Sequence, residues 1–397
     1  MGKKRPTRVQ DTVIFKVSLL SISLFLIMAP AVSPALPLMY NAFPGVDQAG
    51  VEILVTIPNL GIIIGLIISP FLIAAIGEKA TVLAGLIGTL LTGTFPMYVS
   101  AYIPILISRL LIGVSIGLYN SLALSLIPRF YRDDKGELAT MVGFQNVTGS
   151  LGAAIASFLI SWLITISWHA AFAVFFLVIP VFIVFALFVP LPKDKNQEQG
   201  SAQPKKKQHI TSEIVLITVL MFLFYLFYMP VSYKLPAFVI AEHLGSISNV
   251  STLTGVFNLI SIPIGASFGF FFKRLHDKLF PLGCATIALG FFITTFSVNF
   301  AMLIVGTLII GIGFGSTTPY LYNWLDLAAP KDSVNLATTI VLIVVNIGCG
   351  ISPMVINVMS SDPKQDLLIS ACFFALGTIY GLIHYFHVRK STVNIII

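Results

Sequence analysis

Charged side chains are scarce in this 397-residue chain, where they make up 10% of all residues. Ordinary soluble domains carry about 25% charged residues, whereas 57% of the residues here are hydrophobic. A soluble core of this size could not hide so much apolar surface, so the expected solvent is lipid. The net charge of +7 would suggest nucleic acid as a partner of a soluble protein. We expect no nucleic-acid partner, because the positions of the cations explain this charge.

Cysteine is also rare, and the familiar patterns for nucleotide and zinc sites are missing. The three cysteines lie in apolar runs without C-x-x-C spacing, so we interpret them as packing residues rather than metal ligands or disulfide partners. The sequence contains neither G-x-x-x-x-G-K-[ST] nor H-E-x-x-H, which would indicate nucleotide and zinc chemistry. We therefore expect a protein that is not an enzyme and that uses no cofactor and no metal.

Long apolar runs dominate the chain. They cover approximately 17–40, 51–75, 80–99, 103–128, 139–162, 170–190, 212–234, 250–272, 280–298, 301–325, 336–359 and 366–387. Runs of this length are typical of transmembrane helices. The one long polar segment is 191–211. The sequence thus predicts an all-α membrane protein with about twelve transmembrane helices in two pseudo-symmetric six-helix halves: an N-terminal half at 1–190, a cytoplasmic linker at 191–211 and a C-terminal half at 212–397.

The distribution of the cations orients the protein in the membrane. If the N-terminus is cytoplasmic, all Lys and Arg residues except Arg109, Lys234 and Lys364 fall in cytoplasmic loops, the linker or the chain ends. This asymmetry follows the positive-inside rule. The sequence therefore predicts a multi-pass protein of the cell (plasma) membrane with both termini in the cytoplasm.

The two halves share a sequence pattern. Residues 112–141 and 310–339 match at an offset of 198, with Gly113 opposite Gly311, Gly117 opposite Gly315, and the tripeptide Leu-Ala-Thr of 138–140 opposite that of 336–338. Because these matches fall in a single register, they indicate a duplicated helical half. Parallel repeats of this kind are known in one large class of transporters.

Twelve spans in two halves, a central linker and a parallel repeat together resemble the major facilitator superfamily. The fourth span also resembles the frame L-x-x-x-R-x-x-q-G-x-g of its proton-coupled members, on which Ile105, Arg109, Gly113 and Ser115 fall. The resemblance implies that Arg109 tunes proton coupling or binds an anionic group of the substrate. The structural alternative is an arginine that holds helix ends together near the membrane boundary.

The cytoplasmic loops keep only part of the family pattern. Ala74 and Ala75 stand where the loop after the second span would carry Asp and Arg. The residues that we expect to form cytoplasmic gate loops are Gly77, Lys79, Arg274 and Asp277. The fifth span has glycines but lacks the proline that many antiporters of the family carry there. The missing proline therefore slightly favours uptake over efflux. The glycines that we expect at close helix contacts are Gly113, Gly117, Gly149 and Gly152.

Polar and aromatic residues near the middle of the spans are candidates for a substrate cavity at the midplane. They are Asn59, Tyr119, Asn120, Gln145, Asn146, Tyr225, Tyr228, Asn258 and Asn346. A buried amide in hydrocarbon needs a hydrogen-bond partner. Each of these residues therefore contacts either substrate or a neighbouring helix, and the sequence leaves both roles open.

Carboxylates are few within the spans, with Glu52 at the outer start of the second span and Asp326 near the inner end of the tenth. A pocket for lipophilic cations would need a desolvated carboxylate, so we expect a neutral or anionic solute. The sequence predicts a proton-coupled secondary transporter of a small organic solute, acting as a monomer in the lipid bilayer. An efflux antiporter for toxic compounds and a transport-inactive membrane sensor are the alternatives.

Overall fold

The computed structural model of this protein describes residues 12–131, 135–191, 209–330 and 333–396, and within them every regular element is helical. The first half contains α1 (Val13–Ser21), α2 (Leu36–Ala42), α3 (Gln48–Ile76), α4 (Glu78–Thr94), α5 (Tyr102–Tyr131), α6 (Lys135–Leu163) and α7 (Val178–Phe188). The second half contains α8 (Ser212–Tyr228), α9 (Pro230–Tyr233), α10 (Leu235–Ala241), α11 (Ile247–Leu275), α12 (Leu279–Thr295), α13 (Phe300–Ala328), α14 (Val334–Met359) and α15 (Pro363–Ile396). Short 3₁₀ helices at Ile22–Phe25, Ala29–Ala35, Phe95–Met97, Ala170–Leu177 and His276–Lys278 extend or join them.

The described residues form ten helical segments that are long and apolar enough to cross a membrane, or up to eleven when the bent pair Val13–Phe25 and Ala29–Ala42 is taken as one span. One of the ten, Ile247–Thr295, contains both α11 and α12 with a 3₁₀ turn between them. When these two helices are counted separately, the number is consistent with the predicted twelve. The prediction of an all-α, multi-pass membrane protein is confirmed.

The first span is broken in its middle. The helical pieces on either side, Val13–Phe25 and Ala29–Ala42, meet at an angle of 48°. Pro30, Pro34 and Pro37 follow the break. Proline has no backbone N–H and cannot donate to the carbonyl one turn earlier. Carbonyls are thereby freed at the depth of the membrane, where neighbouring groups must satisfy them.

The helices divide into two compact units. One consists of the described residues of Met1–Val32 and Ile57–Ser201, and the other of those of Ser33–Thr56 and Ala202–Ile397. The part of the first span from residue 33 onward and the beginning of α3 therefore belong to the same compact unit as the second half of the chain. The domain boundaries that we drew from the sequence remain a prediction about the functional halves.

The sequence repeat reappears as a repeat of helices. α5 begins at Tyr102 and α13 at Phe300, which is the same offset of 198 as in the sequence. α3 and α11 each contain 29 residues and precede these two helices at corresponding positions. The first of these helices in each half therefore has the same length, and the second begins at the offset of the sequence repeat.

Within the first unit, α3 and α5 contact each other backbone to backbone. A Cβ atom added at Gly113 would lie 2.0 Å from the carbonyl oxygen of Pro58, and one added at Gly61 would lie 2.1 Å from that of Leu110. The next turn repeats the pattern, because a Cβ at Gly117 would lie 2.4 Å from a carbonyl oxygen of α3. Small residues permit this approach, which is a common way for membrane helices to associate.

The corresponding helices of the second unit, α11 and α13, are spaced differently. A Cβ added at Gly311 would meet the ring of Phe257 at 2.7 Å, and one added at Gly315 would meet the side chain of Ile264 at 3.0 Å. Side chains of α11 thus lie where backbone atoms of α3 lie in the first unit.

Replacing Gly113 with alanine should destabilise the protein by about 1–3 kcal/mol, the usual effect of overpacking a close contact. The matched control is Gly143→Ala on α6, where an added Cβ meets no atom within 4 Å. Alanine favours a helix over glycine by about 0.5–1 kcal/mol, so the control should unfold at an equal or higher temperature. Thermal unfolding of both purified variants in detergent tests this. Equal unfolding midpoints would contradict the close contact between α3 and α5.

Candidate functional site

One lysine and two acidic side chains meet in a completely buried position of the second unit. The Nζ atom of Lys234 lies 2.8 Å from Oε1 of Glu52 and 2.8 Å from Oδ2 of Asp366. All three side chains have no exposed surface. The amide of Asn357 joins them, because its Oδ1 accepts a hydrogen bond from Lys234 at 2.9 Å and its Nδ2 donates to Oε2 of Glu52 at 2.6 Å.

Two further side chains complete the environment of Glu52. The hydroxyl of Tyr40 donates to Oε1 at 2.9 Å, and Nε2 of Gln48 donates to the same oxygen at 3.1 Å. We refer to Tyr40, Glu52, Lys234, Asn357 and Asp366 as the Lys234 cluster.

The ends of six helices bring these residues together. Tyr40 lies near the end of α2, and Asn357 lies in the last turn of α14. Lys234 lies at the junction of α9 and α10. Asp366 lies in the first turn of α15 and Glu52 just after the first turn of α3. Carboxylates near the N-terminus of a helix are favoured by the helix dipole, which helps to stabilise both acids in their positions.

The burial of these charges makes each partner indispensable to the others. Removing water from an ion costs several kcal/mol, and attraction to a partner offsets that cost only when the geometry and the hydrogen bonds are good. Lys234 has two carboxylates and an amide oxygen within 2.9 Å. Ionisable residues buried among membrane helices commonly mark the paths of ions and substrates. The Lys234 cluster is therefore the first candidate for a functional site.

Arg109 occupies a second buried position, in the first unit. Its side chain has no exposed surface, and Nη2 donates to the carbonyl oxygen of Ala29 at 2.5 Å. The guanidinium carbon lies 5.8 Å from the ring centre of Phe172 and 6.0 Å from that of Phe175. Ala29 begins the helical piece after the break in the first span. Arg109 thus satisfies a carbonyl group at this break and packs against aromatic rings.

The predicted cavity residues are divided between the two compact units. Asn59, Tyr119, Asn120 and Gln145 belong to the first unit, and Tyr225, Tyr228, Asn258 and Asn346 to the second. Asn146 lies within α6, but its side chain is outside the part of the chain that the structure describes. The cavity role of all nine residues stays a prediction.

Several of these amides bond within their own unit. Asn258 and Asn346 each donate to a carbonyl one turn earlier in the same helix, at 2.9 and 2.8 Å. Gln145 donates to the carbonyl of Ala123 on α5 at 2.9 Å. These three side chains already have a hydrogen-bond acceptor in the helices.

The two predicted tyrosines of α8 share one aromatic neighbour. The ring of Tyr228 stacks on Phe314 with ring centres 4.1 Å apart, and Tyr225 meets the same ring edge-on at 5.9 Å. In the first unit, Tyr119 is completely buried, and its ring lies beside Gly85. Asn59 and Asn120 are partly buried.

The predicted gate residues lie at helix ends. Gly77 has φ +86°, a left-handed conformation that favours glycine, and it precedes α4. The next residue, Glu78, accepts a hydrogen bond from Arg129 at 2.6 Å, and Lys79 is partly buried in the first turn of α4.

The corresponding turn of the second half has different contacts. Asp277 accepts a hydrogen bond from the hydroxyl of Tyr320 at 3.3 Å. The guanidinium of Arg274 lies 4.8 Å from the ring centre of Phe270. Asp277 thus bonds to a tyrosine in the described structure, whereas Glu78 in the first half forms an ion pair.

Residues 113–117 read G-V-S-I-G and so match the pattern G-x-S-x-G of serine hydrolases. That pattern requires a sharp turn between a strand and a helix, which exposes the serine. Here the five residues lie inside α5, and the hydroxyl of Ser115 donates to the carbonyl of Leu111 at 2.8 Å. The match therefore does not indicate a nucleophile.

From the sequence, neither Asn357 nor Asp366 is predicted as a site residue, and Lys234 stands out only as a cation outside the cytoplasmic loops, the linker and the chain ends. The position of Lys234 is the signal that could have led to the cluster. A lysine in a membrane protein that lies outside the cytoplasmic loops needs an acidic partner. Glu52 and Asp366 both stand near the start of an apolar run, where a carboxylate also fits an interfacial position.

Comparison with protein families and solved structures places the chain among transporters. The family model described as Major Facilitator Superfamily matches residues 18–353 and 217–392. Among curated protein sequences, none is significantly similar to this chain.

Several solved structures are similar in fold. A crystal structure of the nucleoside transporter NupG has a TM-score of 0.76 and 12% identity, with coverage of 93% of this chain and 99% of that one. The inward open xylose transporter XylE from E. coli has a TM-score of 0.71 and 15% identity, with coverage of 93% and 95%. A bacterial homolog of the human lysosomal transporter Spinster has a TM-score of 0.71 and 16% identity, with coverage of 96% and 97%. At these identities the likeness shows the fold alone.

Replacing Lys234 with methionine should destabilise the protein strongly, because it leaves two buried carboxylates without their cation. Breaking a buried ion pair in this way typically costs about 3–5 kcal/mol. Lys364→Met is the matched control, since Lys364 pairs with Glu242 at 3.2 Å on the surface and exposed pairs contribute about 0–1 kcal/mol. Thermal unfolding in detergent at neutral pH compares the two variants. Similar losses for both would show that the cluster contributes little to stability.

Proposed function

Because this chain belongs to the Major Facilitator Superfamily, we propose that it is a secondary active transporter that moves a small organic solute by alternating access. The observation that carries the proposal is the Lys234 cluster, in which the side chains of Glu52, Lys234 and Asp366 are completely buried among membrane helices. Such groups are costly in a membrane and usually serve ion or substrate movement. This supports proton-coupled transport over the alternative of a transport-inactive sensor.

The proposed solute is neutral or anionic. The sequence places Glu52 at the outer start of the second span and does not single out Asp366, and the side chains of both acids are completely buried. Both acids, however, lie 2.8 Å from Lys234 and have no exposed surface, so neither is open to a cationic solute in this structure. Efflux of lipophilic cations remains the second candidate, because the same carboxylates would suit it if they were released from Lys234.

Arg109 is the residue of the first unit that we propose for coupling or anion binding. Its guanidinium is the one charged group of α5 that is completely buried among the described residues. It is bonded to the break of the first span, so a change at Arg109 would reach that break directly. The broken first span is a natural place for a conformational change, since broken helices border the binding sites of many transporters.

Purified protein in proteoliposomes should move protons when it is offered its solute. The experiment follows internal pH while small organic anions, neutral metabolites and lipophilic cations are added in turn. Proton uptake that accompanies one class of anion or neutral solute would support the proposal. Proton exchange driven by cations would contradict the neutral or anionic class and favour efflux. Solute flux without proton movement, measured with radiolabelled compounds, would contradict proton coupling.

Arg109→Gln and Arg109→Lys should both lower the proton-linked flux while the yield of folded protein stays near that of the wild type. The expected loss is about tenfold to a hundredfold, because a hydrogen bond to a charged group contributes about 1.5–3 kcal/mol and lysine does not reproduce the fork of arginine. Lys364→Gln, which changes an exposed cation, is the control. A lysine variant with full flux, together with a glutamine variant that fails to fold, would assign Arg109 a purely structural role.

A further inference from the structure

The ionised side chains of the Lys234 cluster do not balance. Lys234 supplies one positive charge, whereas Glu52 and Asp366 would each supply one negative charge. The other members, Tyr40 and Asn357, are neutral. A fully ionised cluster would therefore hold one excess negative charge in a position without solvent exposure, which is strongly unfavourable.

The groups that surround the cluster do not supply a second cation. Tyr233 of α9 bonds to Ser352 of α14 at 2.9 Å, and Gln48 of α3 is neutral. On α15, Asp362 is exposed and acidic, and Lys364 pairs with Glu242 at the surface. Among the residues that the structure describes, Lys234 is the only lysine or arginine that forms an ion pair with Glu52 or Asp366.

The two carboxylates are satisfied to different degrees. Glu52 accepts hydrogen bonds from Tyr40, Gln48 and Asn357 in addition to its ion pair. Asp366 has the ammonium group of Lys234 2.8 Å from Oδ2, and in the described part of the chain its buried oxygens have no other hydrogen-bond partner. Hydrogen bonds favour the ionised form of a carboxyl group, and burial without them favours the neutral form. Glu52 is thus suited to keep the charge and Asp366 to lose it.

We propose that the Lys234 cluster is a proton-binding site and that Asp366 holds the proton at neutral pH. The proton forms an O–H bond on the carboxyl group of Asp366 and removes the excess charge, while Glu52 stays ionised and paired with Lys234. A proton fits better than a metal ion, because the ammonium group of Lys234 lies within 2.8 Å of both carboxylates and would repel a metal cation. The site itself is argued from the structure alone, and only its link to transport rests on the proposed function.

The charge of the site affects how the segment Ser33–Thr56 is held within the second unit. Tyr40 and Glu52 belong to Ser33–Thr56, whereas Lys234, Asn357 and Asp366 belong to the later part of the chain. With Asp366 neutral, Lys234 serves Glu52 alone and binds this segment firmly. When Asp366 loses its proton, the two carboxylates compete for one ammonium group. The proton therefore strengthens the attachment of Ser33–Thr56 to the junction of α9 and α10, where Lys234 lies.

Infrared spectroscopy of the purified full-length protein, without solute and without a proton gradient, tests the site directly. At neutral pH the wild type should show the carbonyl stretch of a protonated carboxyl group. Asp366→Asn should remove the component of one carboxyl group. Lys234→Met should increase this signal by about one carboxyl group, because without the cation both acids need a proton. Glu242→Gln, an exposed acid, is the control and should leave the signal unchanged.

Three results would overturn the proposal: no protonated carboxyl group in the wild type, a signal unaffected by Asp366→Asn, or a signal that appears only when Na⁺ is removed. The last result would assign the site to Na⁺. If Asp366→Asn does not fold, Glu52→Gln replaces it. This change balances the charge of Lys234 with Asp366, so the same signal should disappear and its persistence would contradict the proposal. Because no transport is measured, failure of this site and failure of the transport proposal remain distinguishable.

Discussion

The requirement that every polar group inside a membrane finds a partner within the protein governs this structure. Helices satisfy the hydrogen-bonding groups of the backbone, and the apolar spans contain few charged side chains that also need partners. Lys234 is the charge whose placement determines most of its surroundings. Its ammonium group attracts Glu52 from α3, Asp366 from α15 and Asn357 from α14. The ends of these helices are therefore held together by one lysine, and a change of charge there affects all of them.

The same requirement explains the environment of Arg109. The break in the first span frees carbonyl groups, and Arg109 donates to one of them from α5. The guanidinium group satisfies a carbonyl in a position without solvent exposure, and its flat faces pack against aromatic rings. The break and the arginine thus depend on each other. The two buried cations have different roles, because Lys234 neutralises acids and Arg109 supports an irregular backbone.

The fold and the family could be predicted from sequence, because apolar runs, the cation asymmetry and the repeat are properties of the chain in order. The Lys234 cluster could not be predicted in the same way. Asn357 and Glu52 are 305 residues apart and belong to different halves, and nothing in the sequence indicates which helix ends adjoin. An acid at the start of an apolar run also resembles an interfacial residue. Arg109 was recognisable because it lies within a run, although its bond to Ala29 depends on a break whose position sequence alone does not give.

The different spacing of the two repeated helix pairs has an evolutionary consequence. Between α3 and α5, an atom added to a glycine would collide with main-chain oxygens. A second mutation cannot remove main-chain atoms. Between α11 and α13, the atoms in the way belong to Phe257 and Ile264, so a smaller residue at either position would make room for a larger one opposite. The two copies of the duplicated half should therefore differ in how they accumulate substitutions. In homologous chains, Gly113 should stay glycine, whereas Gly311 and Phe257 should vary together.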